Sequence, residues 1–422
     1  MDSLELMKQL SQSSSSKIMF LVLDGLGGLP HPDTGKTELE TAATPNLDRL
    51  AAKGGCGQAE IVSPGITPGS GAGHLALFGY DPLRFAIGRG VLEAVGIDFN
   101  LKPGDIAARG NFGTVDDAGR VTDRRAGRIS NEKCLELCRL LDGMVIDEVS
   151  ILVRPVREHR FVAVFRGEGL SPDATDSDPQ QTGVVPKVVT SLKPEADRLA
   201  RVANEFIDRA KKTLAEQHPA NMILLRGFSQ RPEFPSLEKI YRLKPAAVAV
   251  YPMYRGLARL VGMEILKTGG SIEEEFETLT QNYAGYDFFF LHIKWTDTAG
   301  EDGNFSRKVA VIESFDRALP RVLDIEPDVI VVTGDHSTPS SLKGHSWHPV
   351  PVILWTKGPA RRDLVTRFGE TAALGGALGF LPATALAILV YFVYGNVLWA
   401  VATFVVVALI MSAISAARDR RD

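Results

Sequence analysis

Three short apolar runs, each ending in acidic or polar residues, constrain the fold of this chain most strongly. They are KIMFLVLDG, with Asp24 near its end, DFFFLHIKWTD, which ends at Asp297, and DVIVVTGDH, which ends at Asp335 and His336. Apolar runs of this length are typical of fully buried strands, and the amphipathic segments between them predict covering helices. We therefore expect an α/β sandwich, a mostly parallel sheet with helices on both faces, and a ligand site beyond the carboxyl ends of its strands.

Composition narrows the class of protein. The chain has 422 residues, 45% of them hydrophobic, which is enough for a large core and two domains. Its formal net charge of -4 and its scattered basic residues argue against a nucleic-acid partner. The three cysteines, Cys56, Cys134 and Cys138, are expected to be free thiols in a reducing compartment.

A change of texture marks a second domain between residues 105 and 190. Stretches such as DEVSILVRPVREHRFVAVFRG alternate with period two and are rich in arginine, which predicts a half-exposed antiparallel sheet. We interpret residues 105–190 as an inserted α+β domain that binds substrate. Residues 17–104 and 191–370 would then form the metal-binding domain, preceded by a flexible N-terminus over residues 1–16 that has no secretion signal.

The C-terminal region is strongly hydrophobic, because no charged residue occurs between Thr371 and Ala417. That length suffices for about two membrane spans of roughly 20 residues, and cationic residues flank both ends. We predict a transmembrane hairpin over residues 371–417 that anchors a cytoplasmic catalytic domain to the membrane. A single tail anchor and a buried core helix are the alternatives.

The stretch TPGSGAGHLALFGYDP places Ser70 among small residues, just before an apolar periodic segment. Small neighbours let a ligand approach the backbone, and a helix N-terminus favours anions. Ser70 is therefore a candidate nucleophile facing a phosphate group, although an ordinary turn would give the same pattern. His74 is expected to orient the Ser70 loop.

Several residues suit a hard divalent cation, which prefers carboxylate with some imidazole. Asp297 and Glu301 are spaced by four residues, so a helical turn would place both carboxylates on one face. Asp335 and His336 are adjacent at a strand end, and His345 precedes another apolar run. Each residue alone has an ordinary structural explanation, but their joint placement at strand ends favours a metal site.

Ordered motifs from about Lys17 to Gly369 resemble a known family. The motifs are VLDGLGG, TPNLDRLA, the Ser70 loop with GHLALFGYDP, RGNFGTVD, DRRAGR, YPMYRGLARLVGM, TGDHSTP and HSWHPVPV. Together they are similar to the cofactor-independent phosphoglycerate mutases of the archaeal type, in the alkaline phosphatase superfamily. The resemblance implies an alkaline-phosphatase-like sandwich with two divalent metal ions, Mn²⁺ or Mg²⁺, with Zn²⁺ and Co²⁺ as alternatives, and no bisphosphoglycerate cofactor.

Site residues follow from the resemblance. Asp24, Ser70, Asp335 and His336 match the ligands of one metal, and Ser70 is also the nucleophile. Asp297, Glu301 and His345 match the ligands of the second metal. The family typically has histidine where this chain has Glu301, which leaves the strength of the second site open.

The implied activity is the interconversion of 3-phosphoglycerate and 2-phosphoglycerate through a phosphoserine. Arginines of the inserted domain and one lysine would hold the substrate: Arg109, Arg124, Arg125, Arg128 and Lys294. One alternative is a related phosphotransferase or phosphomonoesterase that acts on another small hydroxyl substrate. The other is a membrane-tethered binding protein without catalysis. The sequence does not indicate an oligomeric state.

Overall fold

The computed structural model describes residues 3–85, 87–233, 235–358 and 362–392, and it divides into two compact units. Unit 1 consists of the described residues up to Phe85, Pro235–Val250 and the described residues from Val261 onward. Unit 2 consists of the described residues between 87 and 233 together with Tyr251–Leu260.

Strands and helices alternate through much of the chain. The strands are β1 (Ile18–Leu23), β2 (Gly55–Glu60), β3 (Ile106–Val115), β4 (Val121–Asp123), β5 (Met144–Ile146), β6 (Val149–Arg157), β7 (Arg160–Arg166), β8 (Met222–Gln230), β9 (Pro245–Ala249), β10 (Glu264–Ile265), β11 (Phe288–Ile293), β12 (Val329–Thr333), β13 (Val350–Thr356) and β14 (Gly379–Pro382). The helices are α1 (Ser3–Leu10), α2 (Glu38–Thr41), α3 (Pro45–Ala51), α4 (Ser70–Leu77), α5 (Arg89–Gly96), α6 (Asn131–Leu141), α7 (Asp197–Thr213), α8 (Leu237–Tyr241), α9 (Pro252–Leu260), α10 (Ile272–Gln281), α11 (Trp295–Glu301), α12 (Phe305–Ala318), α13 (Pro320–Leu323), α14 (Glu370–Ala373) and α15 (Ala383–Phe392).

The main sheet of unit 1, within the described residues, has the strand order β10-β9-β11-β1-β12-β13-β2-β14. Strands β10, β9, β11, β1 and β12 are parallel, β13 is antiparallel to both its neighbours, and β14 is parallel to β2. Every side chain of β1, β11 and β12 is buried. The prediction of an α/β chain with a large, mostly parallel sheet is confirmed, because these apolar runs are covered on both faces.

Helix α1 lies within residues 1–16, for which the sequence predicted a flexible N-terminus. Within them α1 packs against α8, and Leu4 and Met7 are 5% exposed each. The segment before the serine tract is amphipathic, and its apolar face is buried.

Unit 2 contains a mostly antiparallel sheet with the order β4-β3-β7-β6-β5, and β8 pairs with β3. Its core includes Phe112, Phe161 and Phe206, all fully buried. The alternating pattern indicated this sheet, but unit 2 extends beyond the predicted residues 105–190. The reason is that β8 completes the ladder on β3 from outside those bounds, and α5 packs on the same strand.

The C-terminal region requires a correction, because the prediction of a transmembrane segment is wrong for its described part. Residues 379–382 form β14 in the main sheet, and the following helix α15 packs against α4, β14 and β2. No helix within the described residues is long and apolar enough to cross a membrane. Residues 393–417 of the predicted hairpin lie outside the described residues. Within residues 371–392, the side chains of Ala373, Ala383, Leu386 and Val390 are buried in unit 1.

A core substitution in α15 tests this placement. Leu386 is fully buried, so Leu386→Ala is expected to lower the free energy of unfolding by about 2–5 kcal/mol. The matched control is Leu374→Ala, since Leu374 is 66% exposed and its truncation should change stability by no more than about 0.5 kcal/mol. Urea denaturation of the two variants measures the difference. Equal stabilities would contradict the packing of α15 on the sheet.

Candidate active site

Three strand ends meet at one edge of the main sheet. β1 lies between β11 and β12 and is parallel to both, so their carboxyl ends point the same way. Asp24 directly follows β1, Asp297 lies in the first turn of α11 after β11, and Asp335 follows β12 by two residues. The sequence placed these residues at strand ends, and the strand order places the ends side by side.

The first group of ligand atoms comes from Asp24, Asp335 and His336, all fully buried. His336 Nε2 lies 3.3 Å from Asp24 Oδ1 and 3.2 Å from Asp335 Oδ2. One ligand atom from each residue lies within 4.8 Å of the others. Two carboxylates and one imidazole at this spacing can hold a single divalent cation.

Ser70 lies beside this first group. It is the first residue of α4, and its Oγ is 3.3 Å from His336 Nε2. The glycine at position 73 permits the close approach, since a Cβ there would come within 2.2 Å of the Asp335 carbonyl oxygen. The Ser70 hydroxyl is therefore at a helix N-terminus and next to a candidate metal ligand, as a phosphate-directed nucleophile requires.

A second group consists of Asp297, His336 and His345. His345 Nε2 lies 3.5 Å from Asp297 Oδ1, and the rings of His336 and His345 stack with centroids 3.8 Å apart. Glu301 lies at the rim, with Oε1 3.8 Å from His345 Nε2 and a side chain 53% exposed. The imidazole of His336 thus belongs to both groups, which the sequence had not indicated.

The first group fits a divalent cation on electrostatic grounds. Asp24 Oδ1 and Asp335 Oδ2 are buried and have no hydrogen-bond partner within the part of the chain that the structure describes. Burial by itself would raise the pKa of Asp24, but the charge of Lys294 and the contact with His292 outweigh burial and hold that pKa well below its usual range. Buried, ionised and unsatisfied carboxylate oxygens are suited to metal coordination.

Lys294, which the sequence predicted as a substrate-binding residue, contacts both groups of ligands. Its Nζ donates to Asp24 Oδ2 at 3.0 Å and to Asp297 Oδ2 at 2.5 Å. The ammonium group therefore contacts one carboxylate from each ligand group. A cation at this position favours an anionic substrate nearby.

Two buried histidines contact the carboxylates of the first group. His74 Nδ1 donates to the Ser70 carbonyl oxygen at 2.8 Å and lies 3.2 Å from Asp335 Oδ2, which agrees with the expected orienting role of His74. His292 Nε2 lies 3.3 Å from Asp24 Oδ2. Sequence reasoning missed His292, although a single polar residue inside the fully apolar run FFFLHI was the available signal.

The loops that follow β1 and β12 are held by three charged side chains, those of Lys308, Glu38 and Glu370. Lys308 is fully buried, and its Nζ donates to the carbonyl oxygens of Gly27 at 3.0 Å and Thr338 at 2.9 Å. Glu38 accepts a hydrogen bond from the backbone amide of Ser340, in the loop after β12. Glu370 accepts one from the backbone amide of residue 28, in the loop after β1. Local sequence patterns did not indicate this group of three charged side chains, because its members are far apart along the chain.

Unit 2 contains a separate group of arginines. Arg109 and Arg226 are partners in the β3–β8 ladder, and Arg89 and Arg160 are close enough that their charges also influence Arg109. Burial, together with these like charges, lowers the pKa of Arg109 to about 10, against the opposing effect of Glu93. The Nε atoms of Arg109, Arg160 and Arg226 are buried and have no hydrogen-bond partner among the described residues.

The predicted arginines of the DRRAGR motif separate into two environments. Arg124 makes a bidentate pair with buried Asp178, at 2.9 and 2.7 Å, so its guanidinium serves the structure of unit 2. Arg125 and Arg128 are exposed and lie near His159. Burial lowers the pKa of His159 to about 4, and neighbouring arginine charges reinforce the shift. Those arginines are Arg160, Arg109, Arg125 and Arg128. Sequence reasoning missed Arg89, Arg160 and Arg226, which lie outside the motifs.

Comparison with known proteins gives a consistent result. Residues 51–221 match the family model described as 2,3-bisphosphoglycerate-independent phosphoglycerate mutase. A Deinococcus radiodurans protein named "Probable 2,3-bisphosphoglycerate-independent phosphoglycerate mutase" is 50% identical over 386 residues, covering 90% of this chain and 94% of the relative. A Thermus thermophilus protein of the same name is 48% identical over 387 residues, covering 90% and 95%.

Solved structures are also similar to this chain. The cofactor-independent phosphoglycerate mutase from Thermoplasma acidophilum superposes with a TM-score of 0.69 and 32% identity, covering 90% of this chain and all of that one. A protein structure from Pyrococcus horikoshii gives a TM-score of 0.77 and 30% identity, covering 89% and 96%. These likenesses extend over both units.

Proposed function

The chain belongs to the family of 2,3-bisphosphoglycerate-independent phosphoglycerate mutases, and we propose that it interconverts 3-phosphoglycerate and 2-phosphoglycerate through a phosphoserine at Ser70. One observation supports this mechanism above the others. Ser70 Oγ lies 3.3 Å from His336 Nε2, at the N-terminus of α4 and beside the buried carboxylates of Asp24 and Asp335. A serine in this position can accept a phosphoryl group and return it.

The metal centre would contain two divalent ions. Asp24, Ser70, Asp335 and His336 would hold the first ion; Asp297, Glu301 and His345 would hold the second. When bound, the ions lower the pKa of the serine hydroxyl and neutralise phosphoryl oxygens. The carboxylate-rich donor set favours Mn²⁺ or Mg²⁺, and the imidazoles also suit Zn²⁺ or Co²⁺. This centre at the carboxyl ends of parallel strands supports an alkaline-phosphatase-like unit 1.

The residues of unit 1 would carry out the transfer. Ser70 Oγ forms a bond to phosphorus in line with the departing 3-oxygen of glycerate, and the bond from phosphorus to that oxygen breaks. The backbone amides in the first turn of α4 and the ammonium of Lys294 stabilise the charge on the phosphoryl oxygens. The 2-hydroxyl of the same glycerate then attacks the phosphoserine, which restores Ser70. Protons pass from each attacking hydroxyl to the oxygen that leaves.

Arginines of unit 2 would hold the glycerate between the two transfers. A guanidinium group binds carboxylate or phosphate through two parallel hydrogen bonds, and a site for this substrate needs several such donors. Arg109 and Arg160 have buried Nε atoms with no hydrogen-bond partner in the described part of the chain, and Arg125 and Arg128 lie near them around His159. We assign Arg124 a structural role because its Nε and Nη2 both donate to Asp178.

Substitution of one arginine tests this assignment. Arg160→Met is expected to lower kcat/KM for 3-phosphoglycerate by about 10- to 150-fold, the loss of one charge-assisted hydrogen bond or pair. Arg157→Met is the matched control, because Arg157 is the cross-strand partner of Arg160 and is exposed. Steady-state kinetics of both variants give the result. Equal losses in the two variants would contradict a role for Arg160 in substrate binding.

The proposed reaction is tested directly with the full chain, Mn²⁺ and 3-phosphoglycerate, in the absence of added bisphosphoglycerate. We expect 2-phosphoglycerate to form without accumulation of free phosphate. Both products are followed together by ³¹P NMR. Release of free phosphate alone would show a phosphomonoesterase and would overturn the assignment of the acceptor.

A cytoplasmic location is part of the proposal. Cys56, Cys134 and Cys138 are free and buried. Free thiols are usual in reducing compartments, where disulfides are rare.

A further inference from the structure

Thr338 occupies a position between the two groups of metal ligands. The residue is fully buried and lies two positions after His336. Its Oγ1 donates a hydrogen bond to Asp297 Oδ1 at 2.6 Å and lies 3.0 Å from His336 Nδ1. A single hydroxyl therefore contacts a ligand of the second group and the ligand that both groups share.

The number of hydrogens determines the direction of these two contacts. A threonine hydroxyl has one hydrogen, and an ionised carboxylate can only accept. Because the hydrogen of Thr338 Oγ1 goes to Asp297, His336 Nδ1 must donate its own hydrogen to Thr338 Oγ1. A neutral His336 then has an unprotonated Nε2, which is the atom that lies near the carboxylates of Asp24 and Asp335. This tautomer presents a lone pair to a metal ion.

The backbone around Thr338 holds the hydroxyl in place. Its amide donates to the carbonyl oxygen of Gly27 at 3.0 Å, and its own carbonyl oxygen accepts from Lys308 Nζ at 2.9 Å. Two glycines make room for it. A Cβ at Gly25, where φ is +64°, would lie 2.4 Å from Thr338 Oγ1, and a Cβ at Gly300 would lie 2.3 Å from the Thr338 carbonyl oxygen. A side chain at either position would therefore displace Thr338.

We propose that Thr338 is a positioning residue that fixes the Nδ1–H tautomer of His336 and links this ring to Asp297. The inference rests on the proposed metal centre. Hydrogen-bonding partners of metal-bound histidines typically change metal affinity by about 10- to 100-fold when they are removed. Because one hydroxyl contacts ligands of both groups, its loss is expected to weaken the binding of both ions.

Mn²⁺ titration of metal-free protein, followed by electron paramagnetic resonance, tests the proposal without an activity assay. Thr338→Val keeps the shape but removes the hydroxyl, and we expect its dissociation constant for Mn²⁺ to rise by about 10- to 100-fold. Thr338→Ser keeps the hydroxyl and should restore wild-type affinity to within about threefold. Wild-type affinity in the valine variant would overturn the proposal, as would equal losses in both variants.

A second measurement uses the wild-type protein and does not depend on how a variant folds. Long-range ¹H–¹⁵N NMR of Mg²⁺-loaded protein reports which nitrogen of each histidine ring carries hydrogen, and His336→Gln identifies the signal. We expect hydrogen on Nδ1 of His336. Hydrogen on Nε2 alone would overturn the role of Thr338 even if the enzyme is an active mutase. If the wild type binds no metal ion, the proposed metal centre and this inference both fail.

Discussion

Replacing Ser70 by alanine is expected to remove mutase activity almost completely, with kcat falling by roughly 10⁴-fold or more. The reason is that the proposed mechanism transfers the phosphoryl group to the hydroxyl of Ser70. Without this oxygen, the substrate can bind but its phosphate has no acceptor on the protein. The measurement is the rate of 2-phosphoglycerate formation from 3-phosphoglycerate at saturating Mn²⁺.

Two controls make the Ser70 result specific. Ser63→Ala changes a half-buried serine in the loop that precedes the same helix, and this variant should retain activity. The metal-free melting temperature of Ser70→Ala should stay close to that of the wild type, because the fold without metal does not depend on this hydroxyl. Mn²⁺ should still raise the melting temperature, by less than in the wild type, since Asp24, Asp335 and His336 remain to hold the first ion. Substantial activity in the alanine variant would rule out a phosphoserine at this position.

Removal of the metal ions should lower the mutase activity about as much as Ser70→Ala does. It should also lower the free energy of unfolding. Chelation leaves Asp24 and Asp335 as two buried, like-charged groups. Burial and the charge of Asp24 act to raise the pKa of Asp335, but His336 and His74 outweigh them and hold that pKa below its usual value. Returning Mn²⁺ at 100 times its dissociation constant should stabilise the folded protein by about 2.7 kcal/mol for each site that it fills. Thermal unfolding with and without Mn²⁺ measures this gain.

Asp335→Asn should abolish most of the Mn²⁺-dependent stabilisation together with the activity. The side-chain oxygen of the asparagine can still accept from the backbone amide of residue 25, as Asp335 Oδ1 does at 3.0 Å. The loop therefore keeps this hydrogen bond. The control is Asp324→Asn, an exposed aspartate that precedes β12, and its response to Mn²⁺ should equal that of the wild type. A wild-type protein that does not respond to Mn²⁺ would contradict the metal centre.

Much of unit 1 and part of its site could be predicted from local sequence patterns. Apolar runs specify buried strands, and the polar residues that end them fall at the edge where ligands bind. Asp24, Asp297, Asp335 and His336 were identified in this way. The glycine-rich context of Ser70 indicated a close approach, and the structure brings α4 against the Asp335 backbone.

The same local patterns failed where burial and lipid exposure look alike. The uncharged run after Thr371 has the composition of a membrane span, yet its described part forms an edge strand and a helix packed on α4. Hydrophobicity records that a segment leaves water, but it does not distinguish a lipid environment from a protein core. Only the pairing of β14 with β2 distinguishes these two environments for residues 379–382.

The sequence by itself determined the α/β class, the family, and which residue types stand at the strand ends. Only the tertiary structure decided which atoms meet. Lys294 contacts Asp24 across 270 positions of the chain, His336 is shared by two ligand groups, and Arg124 is held by Asp178. The physical reason is that periodicity records burial along one element, whereas such contacts depend on strand order and on side-chain packing between distant segments.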